Sequence, residues 1–164
     1  MMVEEFGFTH ISTGDLMRVE IQKGTKEGEV IKKIVADGGL VPFEMTVKIL
    51  MNAMIETPSK NYLIDGFPRA VDQAQYFEQN VIETQQVLYY EVPQEVMLER
   101  CMKRAETSGR SDDNAETIKK RVQNYFDQSY PVIEYYKKFG KVRKIDATGD
   151  ISQVYAQTKE AILP

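Results

Sequence analysis

The sequence has little of what builds covalent cross-links, metal clusters or membrane spans. Its 164 residues contain one cysteine, Cys101, and one histidine, His10. An internal disulfide, a cysteine-based zinc cluster and a histidine-rich metal site are therefore excluded. There is no excess of basic residues: 21 Lys and Arg stand against 25 Asp and Glu, a net charge of -4. That balance argues against a nucleic-acid partner recruited by overall charge. No apolar run approaches the ~18 residues a membrane span needs, and Met-Met-Val-Glu-Glu-Phe at the N-terminus lacks a signal-peptide pattern. A cytoplasmic protein with no membrane partner is the expectation. No Pro/Gly/Ser linker or internal repeat divides the chain, so residues 1–164 read as one domain.

What is present suits a folded core, with 42% hydrophobic and 28% charged residues. Four apolar segments read as strands: Phe8 to Ile11, Tyr62 to Ile64, Gln86 to Val92 and Val142 to Ile145. Helical patterns lie between them. One is capped by Ser12 or Thr13 and runs through Gln22; a second spans Thr25 to Asp37 and stops at Gly38-Gly39. Pro42 opens a third to about Glu56, and Pro93 opens another. Asp112 to Ser129 reads as helix, broken or kinked by Pro131 before Val132 to Phe139, and the last runs from about Ile151 to Ile162. Alternating strands and helices predict an α/β fold, a parallel sheet between two helical layers.

Seven arginines carry most of the chemistry: Arg18, Arg69, Arg100, Arg104, Arg110, Arg121 and Arg143. A guanidinium fork stays charged and matches paired phosphate oxygens. Arg18 follows a strand-to-helix corner and Arg69 closes Asp65-Gly66-Phe67-Pro68-Arg69 after a buried strand. Both would lie at carboxyl ends of strands, where open α/β sheets bind ligands. Arg104 and Arg110 flank the flexible-looking stretch 105–109. Arg100 and Arg143 read as surface ion-pair partners. Asp65 reads equally as a turn aspartate or as a carboxylate holding Mg²⁺ through water. His10 reads as a residue near a strand end.

Four motifs in order resemble the nucleoside monophosphate kinases: Ser12-Thr13-Gly14-Asp15-Leu16-Met17-Arg18, Gly39-Leu40-Val41-Pro42, Asp65-Gly66-Phe67-Pro68-Arg69 and Ser108-Gly109-Arg110-Ser111-Asp112-Asp113-Asn114. The likeness runs from about Val3 to the C-terminus and is nearest short-form cytosolic adenylate kinases, with UMP-CMP kinases next. It implies a P-loop kinase-like α/β/α fold with a small helical monophosphate-binding part at 12–41 and a short lid at 103–113. Thr13, Arg18, Gly39, Leu40, Val41, Gly66, Phe67, Pro68, Arg69 and Gln73 would form the AMP site. Arg69 would hold its phosphate, and Gln73 would read the base by paired hydrogen bonds. Arg104 would reach the ATP phosphates and Gly149 the ATP adenine, while Arg110 and Arg121 would stabilise charge on the transferring group. Mg²⁺ with ATP is the implied cofactor, placed at Asp65 through water. ATP and AMP are the implied partners of a monomer that has its full N-terminus. Thr13 and Gln73 favour AMP over UMP or CMP.

The family's phosphate cradle, G-x-x-x-x-G-K-[ST], is missing from the 164 residues. The one Gly-Lys pair, Gly140-Lys141, has Tyr135 at the first glycine position and Val142 in place of Ser or Thr. The segment from Met2 to His10 resembles the tail of the helix that normally follows the loop. The resemblance thus implies that the first, central strand is absent too, leaving its two neighbours with unpaired edges. Three readings stand: a truncated kinase starting at an internal Met, a catalytically dead AMP-binding or scaffolding protein, and a regulatory subunit that pairs with another chain. The retained arginine set favours the first.

Overall fold

β1 (Thr9–Ser12) and β2 (Tyr62–Asp65) pair in parallel, with Thr9 opposite Tyr62 and Ser12 opposite Asp65. β3 (Val87–Glu91) and β4 (Val142–Asp146) form a second parallel pair, with Val87 opposite Val142. In the computed structural model, which describes residues 1–110 and 112–162, these pairs are separate two-stranded sheets. The helices are α1 (Met2–Phe6), α2 (Thr13–Gln22), α3 (Lys26–Ala36), α4 (Phe43–Glu56), α5 (Val71–Asn80), α6 (Gln94–Ser108), α7 (Ala115–Asn124), α8 (Tyr130–Lys137) and α9 (Ile151–Ile162). Parallel pairing needs long crossovers, and helices supply them. The α/β class expected from the alternation is the one found.

Local chemistry sets the helix ends. Ser12 Oγ accepts from the Asp15 N–H, Thr25 Oγ1 from the Gly28 N–H at 3.0 Å and Asn114 Oδ1 from the Thr117 N–H at 3.0 Å. Gly38, in the left-handed region at φ 72°, ends α3 and turns the chain into the 39–42 loop.

Three apolar clusters hold the elements. Ile11, Val47, Leu50 and Phe77 tie α4 and α5 to β1. Met17, Ile31, Val41 and Ile49 form the interior of the α2–α4 unit. Ala74, Val132 and Tyr136 join α5 to α8, with Val87 and Val142 of the second strand pair against them. Helix α5 thus presents Phe77 to one half of the molecule and Ala74 to the other. Burial of each such large apolar side chain contributes about 1.5–3 kcal/mol.

Three expectations are corrected. Helix α7 begins at Ala115 rather than Asp112, because Asn114 takes the cap. The stretch read as flexible is helical to Ser108, where Gly109 in the left-handed region (φ 61°) caps α6. Pro131 does not break the chain: Tyr125–Ser129 is π-helix and leads directly into α8. Pro131 sits in the first turn of α8, where its missing N–H costs least.

A cleft of about 1290 Å³ runs between the strand pairs. Consecutive residues line it on both sides, Tyr62 to Asp65 and Val87 to Tyr90, whereas β1 contributes the alternate residues His10 and Ser12. Side chains alternate across a strand, so consecutive lining marks an edge and alternate lining a face. Strands β2 and β3 therefore each turn an edge to the cleft.

Candidate active site

The site is built outward from the turn after β2. Gly66 holds φ 75°, and a Cβ there would lie 2.9 Å from both Thr13 Oγ1 and Arg69 Nη2. Only glycine fits this crossing. The buried Thr13 hydroxyl donates to the Asp65 carbonyl at 3.0 Å, which fixes the start of α2 against the turn. Arg69 is held at three points. Its Nε donates to the Gly66 carbonyl at 2.6 Å, its backbone N–H to Gln73 Oε1 at 2.8 Å, and its own carbonyl accepts from Ser129 Oγ at 2.9 Å. Burial lowers the Arg69 pKa from its ordinary value, and the neighbouring Arg121 lowers it further; Asp65 and Asp112 oppose this. The guanidinium remains protonated at cellular pH, so an anion is the group this position favours.

Arg121 and Arg18 are the cationic neighbours of Arg69, and Arg104 and Arg110 line the same cleft. Arg18 pairs with Asp15 one turn away on α2. Arg104 clasps Asp113 with two hydrogen bonds, 3.0 and 2.6 Å, and Ser108 Oγ donates to the same carboxylate at 2.7 Å. Arg121 Nη1 reaches Asp112 at 2.7 Å and Asp113 at 3.3 Å. The Asp113 side chain has no exposed surface. The hydrogen bond from Arg104, then that from Ser108, with the charges of Arg104 and Arg121, brings its carboxyl down to about 2. Arg110 lines the cleft and lowers the Asp15 pKa slightly by its charge, after Arg18. Ser111, quoted in the fourth motif, lies outside the described residues.

Thr13, Arg18, Gly39, Leu40, Val41, Gly66, Phe67, Pro68, Arg69, Gln73, Arg104, Arg110 and Arg121 all line the one cleft, as does Asp65. Gln73 is almost fully buried and its Oε1 already accepts from Arg69, so its Nε2 and one remaining lone pair are what it can offer a base. Gly149 is not among the cleft-lining residues. Two arginines depart from the reading given them. Arg100 donates to the carbonyls of Ala147 at 2.7 Å and Thr148 at 3.2 Å, and so holds the loop before Gly149; Arg143 donates to the Gly140 carbonyl at 3.0 Å. Neither makes an ion pair among the described residues. His10 is a cleft residue, 3.7 Å from Asp65.

Asp65 is mostly exposed at the carboxyl end of β2. No group of three or more metal-ligating side chains occurs among the described residues. Mg²⁺ is commonly held by one or two carboxylates, water and substrate phosphates, so the donor set fits an ion that arrives with a nucleotide and not a resident one.

The sequence reading did not single out Asn124 and Ser129, which tie the backbone of Gly38 and Arg69 to one helical segment. Nothing local marks them, since their acceptors lie 86 and 60 residues away.

Comparison with known proteins agrees with this arrangement. The adenylate kinase family model matches residues 1–141. A UMP-CMP kinase of Lentinula edodes is 44% identical over 98% of this chain and 77% of its own. Adenylate kinase isoenzyme 1 of Bos taurus is 44% identical over 95% of this chain and 81% of its own. The uridylate kinase of Saccharomyces cerevisiae is 41% identical over 98% and 81%. No helix among the described residues is long and apolar enough to cross a membrane. With its arginines gathered at the strand ends and these relatives along nearly its whole length, the chain belongs to the adenylate kinase family of nucleoside monophosphate phosphotransferases.

Proposed function

We propose that the cleft binds AMP as phosphoryl acceptor and serves reversible transfer from Mg-ATP, giving two ADP. The observation that carries this reading is Arg69, whose desolvated guanidinium stands beside Arg121 and Arg18, held by one hydrogen bond from its Nε to the Gly66 carbonyl, while two more fix its backbone. Such a cation cluster is costly without an anion, and phosphoryl transfer needs positioning and charge neutralisation above all. Arg69 and Arg18 grip the monophosphate, and the backbone at Gly39 to Val41, with Gly66 to Pro68, encloses its nucleoside. Arg121 and Arg110 stabilise charge on the transferring group, and Arg104 meets the donor phosphates. Gly149, on the loop that Arg100 holds, meets the donor base. Residues 12–41 act as the monophosphate-binding part and 103–113 as the lid. Asp65 would hold Mg²⁺ through water when the ion arrives with ATP, and the ion would supply charge neutralisation.

Thr13 and Gln73 favour AMP. A second reading, UMP or CMP as acceptor, is supported by the UMP-CMP kinase and uridylate kinase relatives. Phosphotransfer rates on AMP, UMP and CMP with ATP as donor separate the two, and faster turnover of a pyrimidine monophosphate overturns the first. Because no G-x-x-x-x-G-K-[ST] occurs in the 164 residues, residues 1–164 offer donor phosphates arginines but no backbone cradle. Their turnover falls below that of a P-loop-bearing relative by on the order of 10²-fold or more. Robust phosphotransfer by this chain would sink that account.

A further inference from the structure

The π-helical segment Tyr125–Ser129 joins two parts of the cleft that are remote in sequence. At its start, Asn124 Nδ2 donates to the Gly38 carbonyl at 2.7 Å. At its end, Ser129 Oγ donates to the Arg69 carbonyl at 2.9 Å. Both residues line the cleft. In an α-helix, residues five apart point about 140° away from each other. The Tyr130 N–H instead bonds the Tyr125 carbonyl, the i to i+5 pattern of a π-turn. That wider turn stacks residue i+5 over residue i, so Asn124 and Ser129 share a face.

The same face of α7 carries more. Thr117, Arg121 and Asn124 stand at i, i+4 and i+7. Thr117 Oγ1 donates to the Ala36 carbonyl at 3.2 Å, and a Cβ on Gly38 would lie 3.2 Å from the Thr117 carbonyl. Among the described residues, Thr117 and Asn124 make the only side-chain hydrogen bonds between α7 and residues 26–41. Gly38 leads directly into Gly39, Leu40 and Val41.

We propose that Asn124 and Ser129 are positioning residues, and that the π-turn between them sets the distance between the nucleoside loop at Gly39 to Val41 and the phosphate grip of Arg69. Asn124 acts on the nucleoside end and Ser129 on the phosphate end. The assignment rests on the monophosphate site proposed above.

Calorimetric titration of residues 1–164 with AMP and with ribose 5-phosphate, which has the phosphate but no base, separates the two ends. Asn124→Ala is expected to weaken AMP about 5- to 10-fold and ribose 5-phosphate less than 2-fold. Ser129→Ala is expected to weaken both ligands alike. Asn124→Asp, nearly isosteric but without the donor, reproduces the alanine result if the hydrogen bond is what matters, and serves where Asn124→Ala melts early. Equal losses of AMP and ribose 5-phosphate in both Asn124 variants would overturn the proposal. If the unmodified chain binds neither ligand, the monophosphate reading fails by itself. Amide exchange then tests the clamp: Asn124→Ala must speed exchange at Gly39 to Val41, and unchanged exchange there overturns it.

Discussion

Arg69 is the residue on which the proposed AMP affinity turns. It is half-buried, and the hydrogen bond from its Nε to the Gly66 carbonyl holds the guanidinium at the carboxyl end of β2. Arg69→Ala is expected to lower AMP affinity by about 10- to 100-fold, the equivalent of one charge-assisted hydrogen bond pair, on the order of 1.5–3 kcal/mol. Calorimetry on the folded variant reads this directly, and affinity within 2-fold of the unmodified chain would remove Arg69 from the site. Gly66 makes a different kind of claim, about the fold. Its φ of 75° and the 2.9 Å approaches to Thr13 and Arg69 leave no room for a methyl group. Gly66→Ala is expected to cost about 1–3 kcal/mol of stability, visible as a lowered melting temperature, and to misplace Arg69 as well. The motif Asp65 to Arg69 was legible in the sequence, and so were its candidate partners Thr13 and Gln73. That Gln73 spends one acceptor on Arg69 was not, because that hydrogen bond depends on how α5 starts after the turn.

At the scale of the element, the junction between α6 and α7, proposed above as the lid, is knotted by Asp113. Its carboxylate receives Arg104, Arg121 and Ser108 and has its pKa held near 2 against an ordinary 3.8. A carboxyl lowered on folding stabilises the native state above about pH 4 and loses that contribution as pH falls towards 2. Asp113→Asn is therefore expected to be less stable than the parent at pH 7, by about 1–2 kcal/mol after allowance for the half-exposed Arg104. The difference shrinks between pH 4 and pH 2. Urea midpoints across that range check it, and a difference independent of pH would mean that shape, not charge, holds the junction. Helix boundaries at Ser12 and Thr25 follow from side-chain caps legible in the sequence, whereas the cap at Asn114 is not, because Asp112 and Asp113 before it are equally plausible starts. The continuous path across Pro131 does not, since a π-turn leaves no compositional mark and is adopted where tertiary contacts at both ends require it.

The whole molecule consists of two strand pairs bridged by α5 and α8, with the cleft between them. β2 and β3 each face that cleft with an edge, so among the described residues alternate backbone amides there have no strand partner. Hydrogen exchange is expected to be fast at those amides and slow on the paired edges facing β1 and β4; uniform protection across β2 and β3 would refute the split sheet. An open edge between apolar strands is also a site of self-association, and light scattering at rising concentration measures that tendency. By itself the sequence determined the α/β class, the strand and helix order, the helix caps at Ser12 and Thr25 and the kinase motifs, because those depend on neighbours a few residues apart and on short patterns with a direct chemical meaning. Only the tertiary structure decided that Arg100 serves a loop, that Asp113 ties two arginines, and that Asn124 and Ser129 grip Gly38 and Arg69. Those contacts join residues 8 to 86 positions apart, and no local pattern encodes which distant carbonyl or carboxylate a folded chain will bring within hydrogen-bond reach.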